Sequence, residues 1–333
     1  DISIREWFAE TPEFFETNFW WMWQTTFAFK DVSSVAELRR YMNRMILEFS
    51  RMKEIEQIDE ISLRGRFQPG VIALHFSDTV AARGLHYPPD PASARSASLG
   101  GTVAENAGGP HCLKYGVTAN YVTGMEIVLP DAQCITLGGP ALDYPGVDLP
   151  GLLTGNEGTL AMITSTTVRL LAKPPAVMTM MAAFDSVDLA CAAVSAIIAG
   201  GIVPATLELM DQKIMEILEA YTHAGLPVQA GAALIIEVDG YPAGLQPQID
   251  QITAIIKRFS AFDLRCTQDE EERAAIWFAR KSTAGALARH APAFLAVDPT
   301  VPRSRLGEAL GCMAKICRDR GLEVYFLSHA GDG

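Results

Sequence analysis

The chain has 333 residues, 49% of them hydrophobic, and a formal net charge of −12. That length suits one large domain or two ordinary ones, and the hydrophobic content supplies real cores and excludes wholesale disorder. The acidic balance argues against a nucleic-acid partner and against anionic membrane surfaces, so an anionic substrate needs a local positive site.

Residues 1–44 differ in character from the rest. Trp20, Trp21 and Trp23 crowd the run 14–29, and Glu16, Asn18 and Gln24 interrupt it. It reads as an amphipathic helix, an oligomer contact, a membrane-surface anchor, or an aromatic helix packed on the core. From Met45 the pattern is regular. Ile46, Leu47 and Phe49 predict a buried strand, and 64–68 another. Pro69-Gly70 signals a turn, and the helical stretch 71–83 ends at a C-terminal cap, Gly84. Beyond a long loop, 122–129 and 134–137 form an expected hairpin around Pro130-Asp131. Residues 155–159 return to loop, and 161–171, rich in Thr, Ile and Val, predicts a strand.

Lys173-Pro174-Pro175 is the expected linker. After it, 178–184 predicts a strand, and Ser186 caps a helix whose Ala190, Val194, Ile197 and Ile198 share one face. Gly200-Gly201 ends that helix. Strands at 205–209 and 232–238, with a helix carrying Ile249, Ile252, Ile255, Ile256 and Phe259, give two strand–helix–strand units. Their rhythm predicts a ferredoxin-like sheet covered by helices. Residues 269–321 read as mostly helical. The six cysteines are scattered with no CxxC pair, a pattern of reduced thiols in a cytosolic protein. No signal-peptide pattern and no apolar run long enough to span a bilayer is found.

The long loop, 84–116, reads GLHYPPDPASARSASLGGTVAENAGGPHCLKYG. The pairs Gly100-Gly101 and Gly108-Gly109 permit positive φ and let a ligand approach bare backbone N–H groups. Ser98, Thr102, Glu105 and Asn106 are polar anchors between them. Two readings stand: a backbone cradle for a large anionic or dipolar cofactor, or a structural Ω-loop.

At PDPASARSASLGGTVAENAGGPHCLKYGVT the chain resembles the FAD-binding flavoproteins related to vanillyl-alcohol oxidase, with their PCMH-type domain. It is most similar to the branch holding glycolate oxidase's flavin subunit, D-lactate dehydrogenase and D-2-hydroxyglutarate dehydrogenase. The likeness continues through 125–130, GNEGTLAMIT at 155–164 and HAGDG at 329–333. It implies an α+β, two-domain flavoprotein. Residues 1–44 are then an atypical segment, 45–175 the FAD-binding domain, and 176–333 a ferredoxin-like α+β substrate domain.

The resemblance also assigns residues. Pro89, Asp90, Pro91 and Ser93 line the FAD loop. Ser98, Gly100, Gly101, Glu105, Asn106, Gly108 and Gly109 approach the phosphates and ribityl chain. Tyr115 and Gly116 flank them, and Glu157, Gly158 and Thr159 complete the cradle. Thr102 stands where Asn is usual, and Ala132 where a turn glycine is usual. Asn106 has an alternative reading, a turn residue bonding its own backbone. His329 resembles the first histidine of the family's HxGDGNxH motif, which binds a divalent metal such as zinc, iron or manganese; the alternative is a surface histidine. Arg280, in IWFARKSTAGAL, is implied to hold the substrate carboxylate, against a helix-surface cation paired with Glu271 or Glu272. Lys281 reads as a solvated neighbour, and His75, His86 and His111 as packing residues.

The implied activity is oxidation of a small D-2-hydroxy acid, glycolate or D-lactate. Electrons leave to a quinone or an iron–sulfur partner subunit, in the cytoplasm or at the inner membrane's periphery. The alternative is an incomplete or degenerate relative with weak FAD binding, acting as a subunit or interaction module. Two features support it: no glycine-rich arginine loop precedes residue 45, and Gly333 falls before the second motif histidine.

Overall fold

The computed structural model describes residues 49, 51–141, 146–291 and 293–333. The aromatic run 14–29 and the strand expected from Met45, save its last residue Phe49, lie outside these residues, as does the segment before residue 45 in which the arginine loop was expected to be absent. Ser50–Phe294 and Asp298–Gly333 cluster as one unit. Phe49 and Leu295–Val297 belong to a second, and carry no helix or strand.

The first half holds β1 (Ile55–Asp59), β2 (Arg64–Phe67), α1 (Ala73–Ala81), β3 (Leu85–His86), α2 (Leu99–Ala104), α3 (Cys112–Tyr115), β4 (Val122–Val128), β5 (Cys134–Gly138), α4 (Leu149–Leu153), β6 (Met162–Arg169) and β7 (Leu171–Ala172). Five of these strands form an antiparallel sheet in the order β1-β2-β6-β4-β5, while β3 pairs with β7. Phe67, Phe76, Tyr87, Leu99 and Leu170 make one core, and Val103, Met125, Ile127 and Leu153 a smaller one. Leu99 and Val103 come from α2, so the loop expected to be irregular is anchored by a helix. Its six residues are too few to show a period. The expected helix, hairpin and strands otherwise stand where the pattern put them, and Gly84 ends its segment at φ 73°.

The second half holds β8 (Ala176–Phe184), α5 (Val187–Ala199), β9 (Thr206–Asp211), α6 (Gln212–Thr222), β10 (Ala232–Gly240), α7 (Pro242–Lys257), β11 (Phe262–Thr267), α8 (Glu270–Lys281), α9 (Thr283–His290), α10 (Leu306–Asp319) and β12 (Leu327–Ser328). The antiparallel order β11-β8-β10-β9-β12 is the ferredoxin-like arrangement, extended by β12 on the outer edge of β9. Ser186 caps α5 as expected, its Oγ accepting from the Leu189 N–H.

The two faces of this sheet differ. One carries Phe184, Leu207, Leu209, Leu234 and Ile236 against apolar residues of α5, α7 and α10. The other carries Met181, Met210, Ala233 and Ile235 against α6, α8 and α9. On that second face, strand alternation also places Glu237 and Asp239, two and four residues beyond Ile235. Glu208 joins them, because it pairs with Ile235 in register.

Candidate functional site

The cradle is built from two loops bonded to each other. The Gly155 N–H donates to the Val103 carbonyl at 2.9 Å and the Glu157 N–H to that of Ala104 at 3.0 Å. Ser98 caps α2, its Oγ accepting from the Gly101 N–H at 3.2 Å. Asn106 Oδ1 accepts from the Ala119 N–H at 2.8 Å, so the side chain ties down the next turn and not its own backbone. Thr102, buried, donates to the Leu99 carbonyl.

The paired glycines serve close packing. A Cβ on Gly100 would sit 2.4 Å from Pro69 Cβ, and one on Gly109 would sit 2.6 Å from the Asp90 carbonyl oxygen. Their N–H groups are bonded internally, Gly100 to the Pro69 carbonyl and Gly109 to Cys112 Sγ, so neither is the bare donor expected. Positive φ falls elsewhere: at Gly116, Asn106, Glu157 and Gly158. Gly158 is the position with room. It is exposed, its φ is 69°, and a Cβ there would meet no atom within 4 Å. Glu105, Thr159, Gly101 and Ser93 are exposed, while Pro89 is buried and Pro91 partly so. This glycine cradle, open at Gly158 and braced from behind, fits a cofactor lying across it.

The other end of the loop meets the sheet's acidic face. His111 lies between two carboxylates, Nδ1 3.0 Å from Asp90 and Nε2 3.2 Å from Glu237. Glu237 also accepts from Thr179 Oγ1 at 2.7 Å and Trp277 Nε1 at 2.9 Å, and pairs with Arg273 at 3.4 Å. Asp239 takes Lys114 Nζ and the Tyr115 hydroxyl. Lys281 bridges to Asp90 at 3.2 Å, so it is no mere solvated neighbour. Burial alone would push the His111 imidazole down, but Asp90 and Glu237 outweigh it and raise it to about 10. Burial would likewise raise Glu237; bonds from His111, Thr179 and Trp277 hold it at about 2. His111 is thus a charged bridge between the halves, not a packing residue.

Arg280 and His329 meet at a third acid. Glu208, 0% exposed, accepts from Arg280 Nε at 2.7 Å through Oε2, with Nη2 also 2.7 Å away. Its Oε1 lies 2.6 Å from His329 Nδ1. Arg280 is 6% exposed, so it is not the surface partner of Glu271 or Glu272. The HAGDG segment is pinned. Gly331 N–H donates to the Leu207 carbonyl at 3.1 Å, Arg303 Nε donates to the Gly331 carbonyl at 2.5 Å, and Ala330 is fully buried. A Cβ on Gly331 would come 2.6 Å from Leu113 of α3, so this segment packs directly on the cradle's last helix.

Glu208, Glu237 and Asp239 were not among the expected site residues. Their signal was present: carboxylates inside strongly apolar strands, which must find partners or go unburied.

Among the described residues no group of three or more His, Cys, Asp or Glu could hold a metal ion. The described cysteines, from Cys112 to Cys317, are all free. A cavity of about 310 Å³ between α5, α6 and α10 is lined by Asp211, Lys213 and Arg318, and shares no lining residue with the cradle or with the acidic face. No described helix is long and apolar enough to cross a membrane.

Residues 31–138 match the family model of the FAD binding domain, and 173–333 match that of the C-terminal domain of FAD linked oxidases. Glycolate oxidase subunit GlcD of Escherichia coli is 43% identical over 289 residues, 87% of this chain and 58% of that protein. GlcD of Bacillus subtilis is 41% identical over 290 residues, 87% and 62% respectively. A D-lactate dehydrogenase of Archaeoglobus fulgidus is 28% identical over 291 residues, 87% and 63%. The chain thus spans about three-fifths of these relatives' lengths. Among solved structures, 4-ethylphenol oxidase from Gulosibacter chungangensis aligns with a TM-score of 0.64 at 17% identity, over 84% of this chain and 62% of that one. An alkyldihydroxyacetonephosphate synthase aligns at 0.59 and 19%, over 72% and 46%. At such identities the structural likeness speaks for the fold alone.

Proposed function

Because this chain belongs to the FAD-linked oxidases, we propose that it oxidises a small D-2-hydroxy acid, glycolate or D-lactate, to the 2-oxo acid. The observation that carries the reading is the Arg280–Glu208–His329 cluster, packed through Gly331 against the cradle's last helix. It gathers an anion-binding fork and a proton acceptor beside a cofactor loop. The names of these relatives, glycolate oxidase subunit and D-lactate dehydrogenase, support the substrate class.

Ser98, Gly101, Glu105, Asn106 and the turn 157–159 would hold FAD along the cradle, with Asp90, Tyr115 and Gly116 at its far end. Bound there, FAD supplies the acceptor for the hydride leaving the substrate's C2. The protein's own groups do the rest. Arg280 keeps Nη1 for a substrate carboxylate, since Glu208 takes Nε and Nη2. The hydroxyl proton goes to His329 or to a partner group beside it, acting as general base. The electrons then pass to a quinone or to an iron–sulfur partner subunit, with the protein in the cytoplasm or at the membrane's inner face.

The test is turnover of the flavin-loaded protein with an artificial electron acceptor, offering glycolate, D-lactate and L-lactate. Glycolate or D-lactate should be oxidised, with L-lactate at least about tenfold slower, the discrimination expected when one misplaced group costs about 1.4 kcal/mol. Equal rates for the lactate enantiomers, or none for any acid, would refute it.

A further inference from the structure

Helix α8 is fastened to the acidic face of the second sheet at every turn. Arg273, Trp277 and Arg280 follow one another at spacings of four and three, so they share one side of the helix. Arg273 pairs with Glu237 Oε2 at 3.4 Å, and the Trp277 indole N–H donates to the same oxygen at 2.9 Å. Arg280 is seated on Glu208. Lys281 turns instead to Asp90 of the cofactor loop, at 3.2 Å. His111 answers this helix from the cradle. Its Nε2 lies 3.2 Å from Glu237 Oε1, the oxygen that Arg273 and Trp277 leave free, and its Nδ1 lies 3.0 Å from Asp90. The imidazole also lies against the Trp277 ring, centroids 5.7 Å apart and tilted by 34°. One cradle residue thus touches the sheet, the cofactor loop and α8 together. Glu237 is 4% exposed, and a carboxylate so deep is kept only by partners at both oxygens, which makes it a firm reference point.

We propose that His111 is a positioning residue: acting through Trp277 and Glu237, it sets α8, and with it the Arg280 fork, at a fixed place against the cofactor cradle. This rests on the reading that Arg280 holds a hydroxy acid's carboxylate. Glu208 by itself fixes Arg280 to the sheet, so the carboxylate is still bound when His111 is lost. What His111 adds is the placement of that bound acid relative to the cradle. Reaction rate depends steeply on such placement, a shift of about 1 Å costing about 100-fold. The signature is a split: the chemical step slows while the affinity for the acid is kept.

The experiment mixes the flavin-loaded protein with glycolate in the absence of oxygen and follows bleaching of the flavin's visible absorption in a single turnover. His111→Asn should lower the limiting rate by about 10- to 100-fold, while the glycolate concentration giving half that rate stays within about twofold. His111→Arg keeps a cation between Asp90 and Glu237 and should recover part of the rate. A second readout needs no substrate. In protein labelled with 5-fluorotryptophan, the Trp277 fluorine signal, assigned by its loss in Trp277→Phe, should be a single line in the wild type. In His111→Asn it should move or split. The wild-type Trp277 indole N–H, followed by proton–nitrogen NMR, should exchange with solvent more slowly than that of free indole, because a buried carboxylate holds it.

A wild-type indole N–H that exchanges like free indole overturns the proposal whether or not any variant folds. So does an unmoved Trp277 line in His111→Asn, a limiting rate left unchanged, or a loss of affinity as large as the loss of rate. A displaced line in a protein whose wild-type flavin no hydroxy acid reduces supports His111 as the seat of α8 and overturns only the substrate reading.

Discussion

Ala132, where a turn glycine is usual in the family this chain resembles, lies exposed at φ 67°, in the left-handed region. A Cβ there costs about 1–2 kcal/mol, while glycine loses about 0.5–1 kcal/mol of chain entropy. The strain is the larger, so Ala132→Gly should stabilise the protein by about 0.5–1 kcal/mol in urea unfolding; a destabilised variant would show that the turn is not strained. That position was readable from sequence, because turn chemistry is local. Arg280 was readable as a residue and not as a geometry: its partner Glu208 comes from 72 positions away. The glycine pairs were read as ligand-facing, yet Gly100 and Gly109 are small because Pro69 and Asp90 press on them. Nothing local to a glycine tells a ligand's backbone approach from the protein's own.

The elements that carry function are short, and that is why the sequence shows them poorly. Two strand–helix–strand units predicted the ferredoxin-like sheet because α5 and α7 are long enough to repeat an apolar face. By contrast α2, α3 and β12 have 6, 4 and 2 residues. Yet α3 brings Tyr115 and Lys114 to Asp239, and β12 brings His329 to Glu208. The bridge from His111, the residue just before α3, to β10 has a pH signature. His111 is raised from 6.5 to about 10, so its contribution is complete below pH 6.5 and is lost as pH climbs through about 10. Glu237 is lowered from 4.5 to about 2, so its contribution is complete above pH 4.5 and is lost as pH falls through about 2. The pair is therefore strongest between pH 4.5 and 6.5. Urea midpoints should decline from pH 6.5 towards 10 in the wild type, and His111→Asn should flatten that decline. Equal slopes in the two proteins would mean that His111 is not held charged.

Across the whole molecule the fold does one thing: it sets a glycine cradle from one half against the acidic face of a sheet from the other. Glu208, Glu237 and Asp239 lie on that face, and each is answered by cations or donors from the loop, from α8 or from the HAGDG turn. An unpaired buried carboxylate would cost several kcal/mol, so these pairings also fix how the cradle sits on the sheet. Fold class and cofactor class were legible from ordered motifs along the chain. The acidic face was not, because it exists only once β9 and β10 lie side by side. If FAD lies across the cradle, Gly158 is the floor beneath it, the open position at φ 69°. Gly158→Ala and Gly158→Phe share the same backbone strain of about 1–2 kcal/mol, and only the ring fills the cradle. The decisive measurement is the flavin retained per protein after gel filtration, read from its visible absorption, in these two variants and the wild type. Flavin bound by the wild type and the alanine variant but lost from the phenylalanine variant is the expected result, with all three proteins folded. Equal flavin in both variants would place the cofactor elsewhere.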